Sequence, residues 1–348
     1  MNTTSPAEVR VRGLSAVAFD FLEAKLRGRR SRLREGPRLR QLTGVGTVGD
    51  LAAELFPRED IHDSVALERR LAESCVEELA YLLAYLTHRY QHLQRALVDR
   101  FAVENLKVLL RLLGRENGRE EAERLLVPLP PELALPVDEM LASAGPEEFI
   151  RRIPLPGPRH SALAALPAHE EDGRVAFLEM ALDAGYWGAV GEALEGLNRT
   201  ERRACSAPIV CEFDAVRLVA VLRAARTYEI EWEALGAVLP VGWGSLSPAE
   251  LRRVHAHPEP EALWESVSLL RRALDSPGEA EPIGQIEDAL WQEGVRRANR
   301  QYYAPAPAPA VLVSYFYLKR HELRRLISLT QAIRRGMDAR DIRSYLAL

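Results

Sequence analysis

The segment "TGVGTVGD", residues 43–50, holds Gly44, Gly46 and Gly49 in the G-x-G-x-x-G spacing that lets a strand-to-helix turn approach a dinucleotide pyrophosphate. That chemistry needs an apolar strand before the first glycine and an acidic residue closing a second strand after the third. Here "RLRQLT" puts charge where the strand core belongs, and "TVGDLAAELF" reads as a helix opened by a Thr47-x-x-Asp50 box. The glycines are therefore expected to form a turn and a helix cap, with no nucleotide site. His88 and His92 stand four apart, a spacing that can hold zinc from one helix. "HRYQH" lacks the Glu of a metalloprotease box, however, and no third ligand is evident. "HAHPEPE" (255–261) has the composition of a loop. Cys75, Cys205 and Cys211 are odd in number with no C-x-x-C, and are expected to be core or near-core thiols. No P-loop, G-x-S-x-G or spaced carboxylate pair stands out. No catalytic, cofactor-binding or metal-binding residue is assigned, and no small-molecule substrate is expected.

The strongest local charge signal is a basic run. Lys25, Arg27, Arg29, Arg30, Arg32, Arg34, Arg38 and Arg40 place eight cations within sixteen residues. Such a run can dock a partner, touch anionic lipid, bind nucleic acid, or lie along a solvated helix paired to acidic neighbours. No aromatic platform is interleaved with the arginines, which disfavours single-strand binding. The expectation is a partner interface, with Arg27, Arg30 and Arg34 as its contact residues.

The elements that must carry these groups are helical. Leu, Ala, Arg and Glu dominate a chain of 348 residues that is 47% hydrophobic and 28% charged. A net charge of −4 argues against a surface built wholly for nucleic acid. The opening "MNTTSPAEVRVRG" has no apolar core, so no signal peptide is expected. "QYYAPAPAPAVLVSYFYL" (301–318) is long and uncharged, but Pro305, Pro307 and Pro309 exclude a continuous membrane helix through its first half. It reads as a stiff linker feeding a buried helix. Leu67, Leu71, Cys75, Leu79, Leu82, Leu86, Tyr90, Leu93 and Leu97 predict one long helix capped by Asp63 or Ser64. Further stripes run from Val175 to Leu197, through "LWESVSLLRRAL", and through "LKRHELRRLISLTQAIRRG".

Two of these segments align. "FAVENLKVLLRLLGR" and "FDAVRLVAVLRAART" lie 112 residues apart, matching Phe101 with Phe213, Leu106 with Leu218, Leu110 with Leu222 and Arg111 with Arg223. A looser third copy runs through "KRHELRRLISLTQAIRRGMDARDIRSYL", with Leu326 near the Leu106 position. Each copy is a long helix, a turn and a short helix, so about three units account for the chain length.

These motifs resemble the C subunit of the archaeal and bacterial V-type rotary ATPase, called the d subunit in eukaryotes. "DRFAVENLKVLLR" (99–111), with Asp99, Asn105, Leu106 and Arg111, is similar to the family's first long-helix segment. "YFYLKRHELRRL" (315–326) resembles its Tyr…Lys-x-x-Glu helix, and "FLEAKLRGRRSRL" (21–33) its basic opening helix. The second copy departs by placing Arg217 where the first has Asn105. The resemblance implies an all-α fold of three related lobes, 1–128, 129–240 and 241–348, forming a pseudo-threefold funnel. It implies a non-catalytic rotor adaptor, cytoplasmic and peripheral on the inner face of the membrane. Its partners would be the central-stalk subunits and the membrane proteolipid ring, with no nucleic acid expected. A free-standing helical scaffold or regulatory adaptor, and a nucleic-acid-binding protein using residues 25–40, are the alternatives.

Overall fold

A computed structural model describes residues 21–240, 242–259, 282–304 and 306–348. Most of the described backbone is helical, and no strand occurs among the described residues. The first helical stretch, α1, covers residues 21–30. It is followed by α2 (Pro37–Leu42), α3 (Val48–Leu55), α4 (Ser64–Tyr81), α5 (His88–Leu112) and α6 (Gly118–Leu125). Then come α7 (Val137–Leu141), α8 (Pro146–Arg151), α9 (Pro156–Asp172), α10 (Ala176–Glu195) and α11 (Arg199–Arg223). The chain continues through α12 (Trp232–Gly236), α13 (Pro248–Ala256), α14 (Pro282–Tyr303), α15 (Ala308–Arg334) and α16 (Ala339–Tyr345). The stripe in "LWESVSLLRRAL" falls outside the described residues.

The caps follow the sequence. Thr47 Oγ1 accepts the Asp50 N–H at 3.1 Å and donates to Asp50 Oδ2 at 2.7 Å, opening α3. The glycine run is thus a turn between two helices, with α2 where a nucleotide fold would need a strand. Asp63 caps α4 by accepting the N–H groups of Val65 and Ala66, each at 2.9 Å. The long helix expected from residue 63 is, however, two helices. Residues Leu82–Tyr85 form a 3₁₀ turn, Leu86 and Thr87 are extended, and His88 restarts the helix with φ +46°. Leu82 and Leu86 stay buried through the break, so the apolar period runs on although the helix does not. The stiff linker is also shorter than expected. Gln301, Tyr302 and Tyr303 close α14, and Pro309 sits in the first turn of α15, where a missing N–H costs nothing.

Packing joins each long helix to the helix preceding the next one. α10 lies on α5, α14 lies on α11, and α4 lies on α15. In the last case residues early and late in the chain share a core. Leu39, Leu42, Leu51, Leu67 and Leu71 cluster with Leu326, Leu329, Ile333, Ile342 and Leu346. Each fully buried leucine contributes about 2 kcal/mol of transfer free energy, so this cluster is a substantial joint. α9 meets α10 at Gly157 and Gly185, where an added Cβ at residue 157 would stand 2.6 Å from the Gly185 carbonyl oxygen. α11 contains Pro208, which cannot donate to the Ala204 carbonyl one turn earlier. Gln301 of α14 takes that place, donating through Nε2 to Ala204 O at 2.7 Å.

The aligned segments do the same local work. Asn105 of α5 donates to Val127 O at 2.8 Å and accepts from Val127 N at 2.9 Å, tying down the chain after the short helix α6. Arg217 of α11 donates to Leu246 O at 2.8 Å, and Arg325 of α15 donates to Leu346 O. One helix position therefore serves one purpose three times, with amide and guanidinium interchanged.

Candidate functional site

α5, α11 and α15 converge, with α10 and α14 beside them, around a cavity of about 560 Å³. The residues facing it share a register. Arg100, Glu212 and Arg320 come from the same aligned position of the three long helices, and Glu104, Val216 and Arg324 from the position one turn on. Lys107 with Val219, and Arg111 with Arg223, continue the series on α5 and α11. At 1.5 Å per residue, the stretch from Arg100 to Arg111 climbs roughly 16 Å.

Most of these charges are fixed by pairing. Glu212 accepts both arms of Arg320, at 2.8 and 3.0 Å, and the Tyr317 hydroxyl at 2.7 Å. Arg100 bridges Asp183 at 2.8 Å and Glu104 at 2.5 Å, while Lys107 reaches the same two carboxylates at 2.7 and 3.3 Å. Arg111 forks onto Glu179, and Arg324 meets Asp288 at 2.8 Å. Trp291 floors one side, with the guanidinium carbons of Arg320 and Arg324 at 4.9 and 4.8 Å from its ring centre. Burial alone pushes the Glu104 carboxyl up, but Arg100 and Lys107 outweigh it and bring it down to about 2. Burial likewise raises Glu212, yet Arg320 and Arg100 hold it below the ordinary carboxylate value. Both acids are ionised at neutral pH. The arrangement suits a shaped socket with fixed charges, and neither of these acids can trade protons near pH 7.

The residues expected to form an interface differ in exposure and in partners. Arg27 is exposed and pairs with Glu23 at 2.6 Å along its own helix. Arg30 turns inward to Glu35 at 2.6 Å and Asn299 at 3.1 Å, with its side chain 13% exposed. The backbone N–H of Arg34 donates to Glu322 at 2.6 Å, and its side chain borders a small cleft beside Lys319 and Phe56. The run also has aromatic company that its local sequence does not show. Lys25 Nζ lies 3.9 Å from the ring centre of Tyr85 and 4.6 Å from that of Tyr81. Arg29 pairs with Glu78 at 2.7 Å, and Glu78 also accepts from Lys319 at 2.9 Å and from Tyr315. Much of the run thus anchors α1 to α4 and α15.

His88 and His92 are exposed, and no group of His, Cys, Asp or Glu suited to a metal occurs among the described residues. His255 bonds the Ile230 carbonyl oxygen at 2.8 Å. All three cysteines are buried. Most of the charged cavity residues lie inside the segments that carry the repeat and the resemblance, 99–111 and 315–326, but apart from Arg111 and its match Arg223 they were not singled out as residues facing a cavity. Arg100, Glu104, Lys107 and Arg111 recur at helical spacing inside the repeated segment, a charged stripe beside the leucines that carry the repeat.

No helix among the described residues is long and apolar enough to cross a membrane. The chain is similar to an uncharacterized protein of Treponema pallidum (strain Nichols), at 26% identity over 347 residues, covering 92% of this chain and 94% of that one. Residues 22–345 match the family described as "ATP synthase (C/AC39) subunit". With the match spanning nearly all of the all-α chain, the protein belongs to that family, which supplies a non-catalytic subunit of the V-type ATPase.

Proposed function

We propose that the chain is the central-rotor adaptor of a V-type ATPase, coupling the central stalk to the membrane proteolipid ring. In this reading three lobes, 1–128, 129–240 and 241–348, surround the cavity as a pseudo-threefold funnel. The stalk tip enters the funnel, and the opposite side rests on the ring at the cytoplasmic face of the membrane. The observation that carries the reading is the cavity lined at matching register by α5, α11 and α15. A socket built from packed helices and pre-paired charges deforms little, which suits a part that passes torque. Exposed charges such as Arg27 would set encounter rate and register at the ring or stalk.

Filling the socket tests this. Val216 borders the cavity and is partly exposed, so Val216→Trp occupies the space without displacing core side chains. Co-purification with the stalk subunits should fall by at least about tenfold, the loss of one well-packed contact, while binding to the proteolipid ring is retained. Undiminished stalk binding by the variant refutes the socket. Wild-type protein that binds neither stalk nor ring points instead to a free-standing scaffold.

A further inference from the structure

The position shared by Asn105, Arg217 and Arg325 is charged differently in its three settings. Asn105 is neutral. Arg217 has Asp214 three residues earlier, with the charged atoms 3.7 Å apart and both side chains buried. Three residues before Arg325 stands Glu322, but its oxygens are already taken. Lys319 holds one at 2.7 Å, and the Arg34 backbone N–H holds the other at 2.6 Å. Arg325 therefore caps Leu346 with no carboxylate in contact among the described residues, and its buried Nε has no partner among them either.

The acid whose charge acts on it is Glu35. One of its oxygens is bound to Arg30 at 2.6 Å, and the other, Oε1, is buried without a hydrogen-bond partner among the described residues. Both half-satisfied groups border a cleft of about 370 Å³ between the α1–α2 turn, α14 and α15. Arg40 stands at the same cleft, exposed and with no ion pair among the described residues. Arg296, also at the wall, is held by Glu293 at 3.0 Å. Asn299 gives its oxygen to Arg30, which leaves its amide N–H groups for the cleft. His321 adds no charge at neutral pH, because burial and the surrounding arginines bring it down to about 4. The cleft thus offers two arginines free of carboxylate contact among the described residues and one amide donor, against one acidic side chain, Glu35, half engaged by Arg30, with Leu348 also at the wall. Buried polar atoms are ordinarily satisfied, and arginine forks match tetrahedral and planar oxyanions.

We propose that this cleft is a binding site for a small oxyanion of the phosphate or carboxylate type, clamped between Arg40 and Arg325 with Asn299 donating from the side. The site is separate from the central cavity and does not depend on the stalk reading. Its charge is supplied by this chain alone, and either a free solute phosphate or the phosphate of a lipid headgroup fits it.

Thermal unfolding of the full chain in sodium phosphate and sodium sulfate, against sodium chloride at matched ionic strength, tests the proposal. The oxyanions should raise the midpoint of the wild type by more than that of Arg40→Gln, which shares the general stabilisation by excluded salts, and calorimetric titration with phosphate should give a single site. Arg40→Gln, an exposed change that leaves packing intact, should weaken phosphate binding about tenfold, as loss of one charge-assisted contact does. Arg325→Met should abolish it, and Glu35→Gln, which removes the opposing acid, should tighten it. Sedimentation with phosphatidylglycerol vesicles, with phosphatidylcholine vesicles as control, then separates the sources. Arg40-dependent retention identifies a headgroup, and phosphate binding without retention identifies a solute; both uphold the site. A midpoint raised by phosphate equally in wild type and Arg40→Gln, or phosphate binding unchanged in that variant, overturns it.

Discussion

Replacing Glu212 by Gln removes a carboxylate that joins the floor of the cavity to α15. The side chain is 9% exposed and accepts three hydrogen bonds, two from Arg320 and one from Tyr317. An amide of the same shape keeps one oxygen acceptor but turns an N–H₂ toward a guanidinium. Arg320, largely buried and lying over Trp291, is left without the counter-charge it touches. Removing one partner of a buried ion pair costs about 3–5 kcal/mol, and the retained acceptor places the expected loss near ~3 kcal/mol. For a chain of this size that corresponds to roughly 4 °C in the thermal midpoint. The pH dependence provides a second reading. Glu212 has a lowered pKa in the folded protein, so its contribution is present above the unfolded carboxylate value and is lost as pH falls through the folded value. Destabilisation by Glu212→Gln should therefore be full at pH 7 and shrink below about pH 4. Urea unfolding followed by far-ultraviolet circular dichroism at about pH 7 and about pH 4 measures both effects. The double variant Glu212→Gln with Arg320→Met should recover part of the loss, because it removes the stranded charge. A single variant within about 1 kcal/mol of wild type at neutral pH would refute the claim that this pair holds the floor.

The basic run should divide by burial. Arg27→Glu should shift stability by less than about 0.5 kcal/mol in chemical denaturation, whereas Arg30→Glu, which sets two acids together, should cost about 2 kcal/mol or more. Gly244→Ala should loosen the segment over Asp214 and Phe213, since the added Cβ would overlap the Asp214 carboxylate, and near-ultraviolet dichroism from the stacked Trp243 should fall. Burial pushes the Cys75 and Cys205 thiols up to about 12 and Cys211 up to about 11, so a disulfide reagent at about pH 8 should react with none of them until the chain unfolds. Gln301→Leu should cost about 1 kcal/mol in the wild-type background and less beside Pro208→Ala, where the freed Ala204 carbonyl regains a helical donor.

What was legible in the sequence was local or periodic. Thr47 and Asp63 announced their caps by type and spacing, and the stripe from Val175 to Leu197 became α10. The spacing of 112 linked Asn105 to Arg217, and the structure gives the two the same task. The break at Leu82–Thr87 was hidden because the leucines on either side stay buried, and hydrophobic period reports burial, not backbone continuity. The cavity was hidden for another reason. Lys107 finds Asp183 and Glu212 finds Arg320 across long intervals of chain, and such pairings exist only after the helices have packed. The same holds for Arg30, whose partner Asn299 lies 269 residues away.

The shared core of α2, α3, α4, α15 and α16 has a consequence for how the protein is made. Leu67 and Leu71 are synthesised long before the side chains they meet, Leu326 and Leu329. With roughly 250 residues between them, and elongation at about 5–20 residues per second, the early helices wait some ~12–50 s with their apolar faces uncovered. The α5–α10 contact spans a much shorter stretch and can close sooner. Nascent chains stalled before α15 should therefore hold a protected middle and a protease-sensitive beginning, and a chaperone that shields apolar helices has its longest window at residues 37–81.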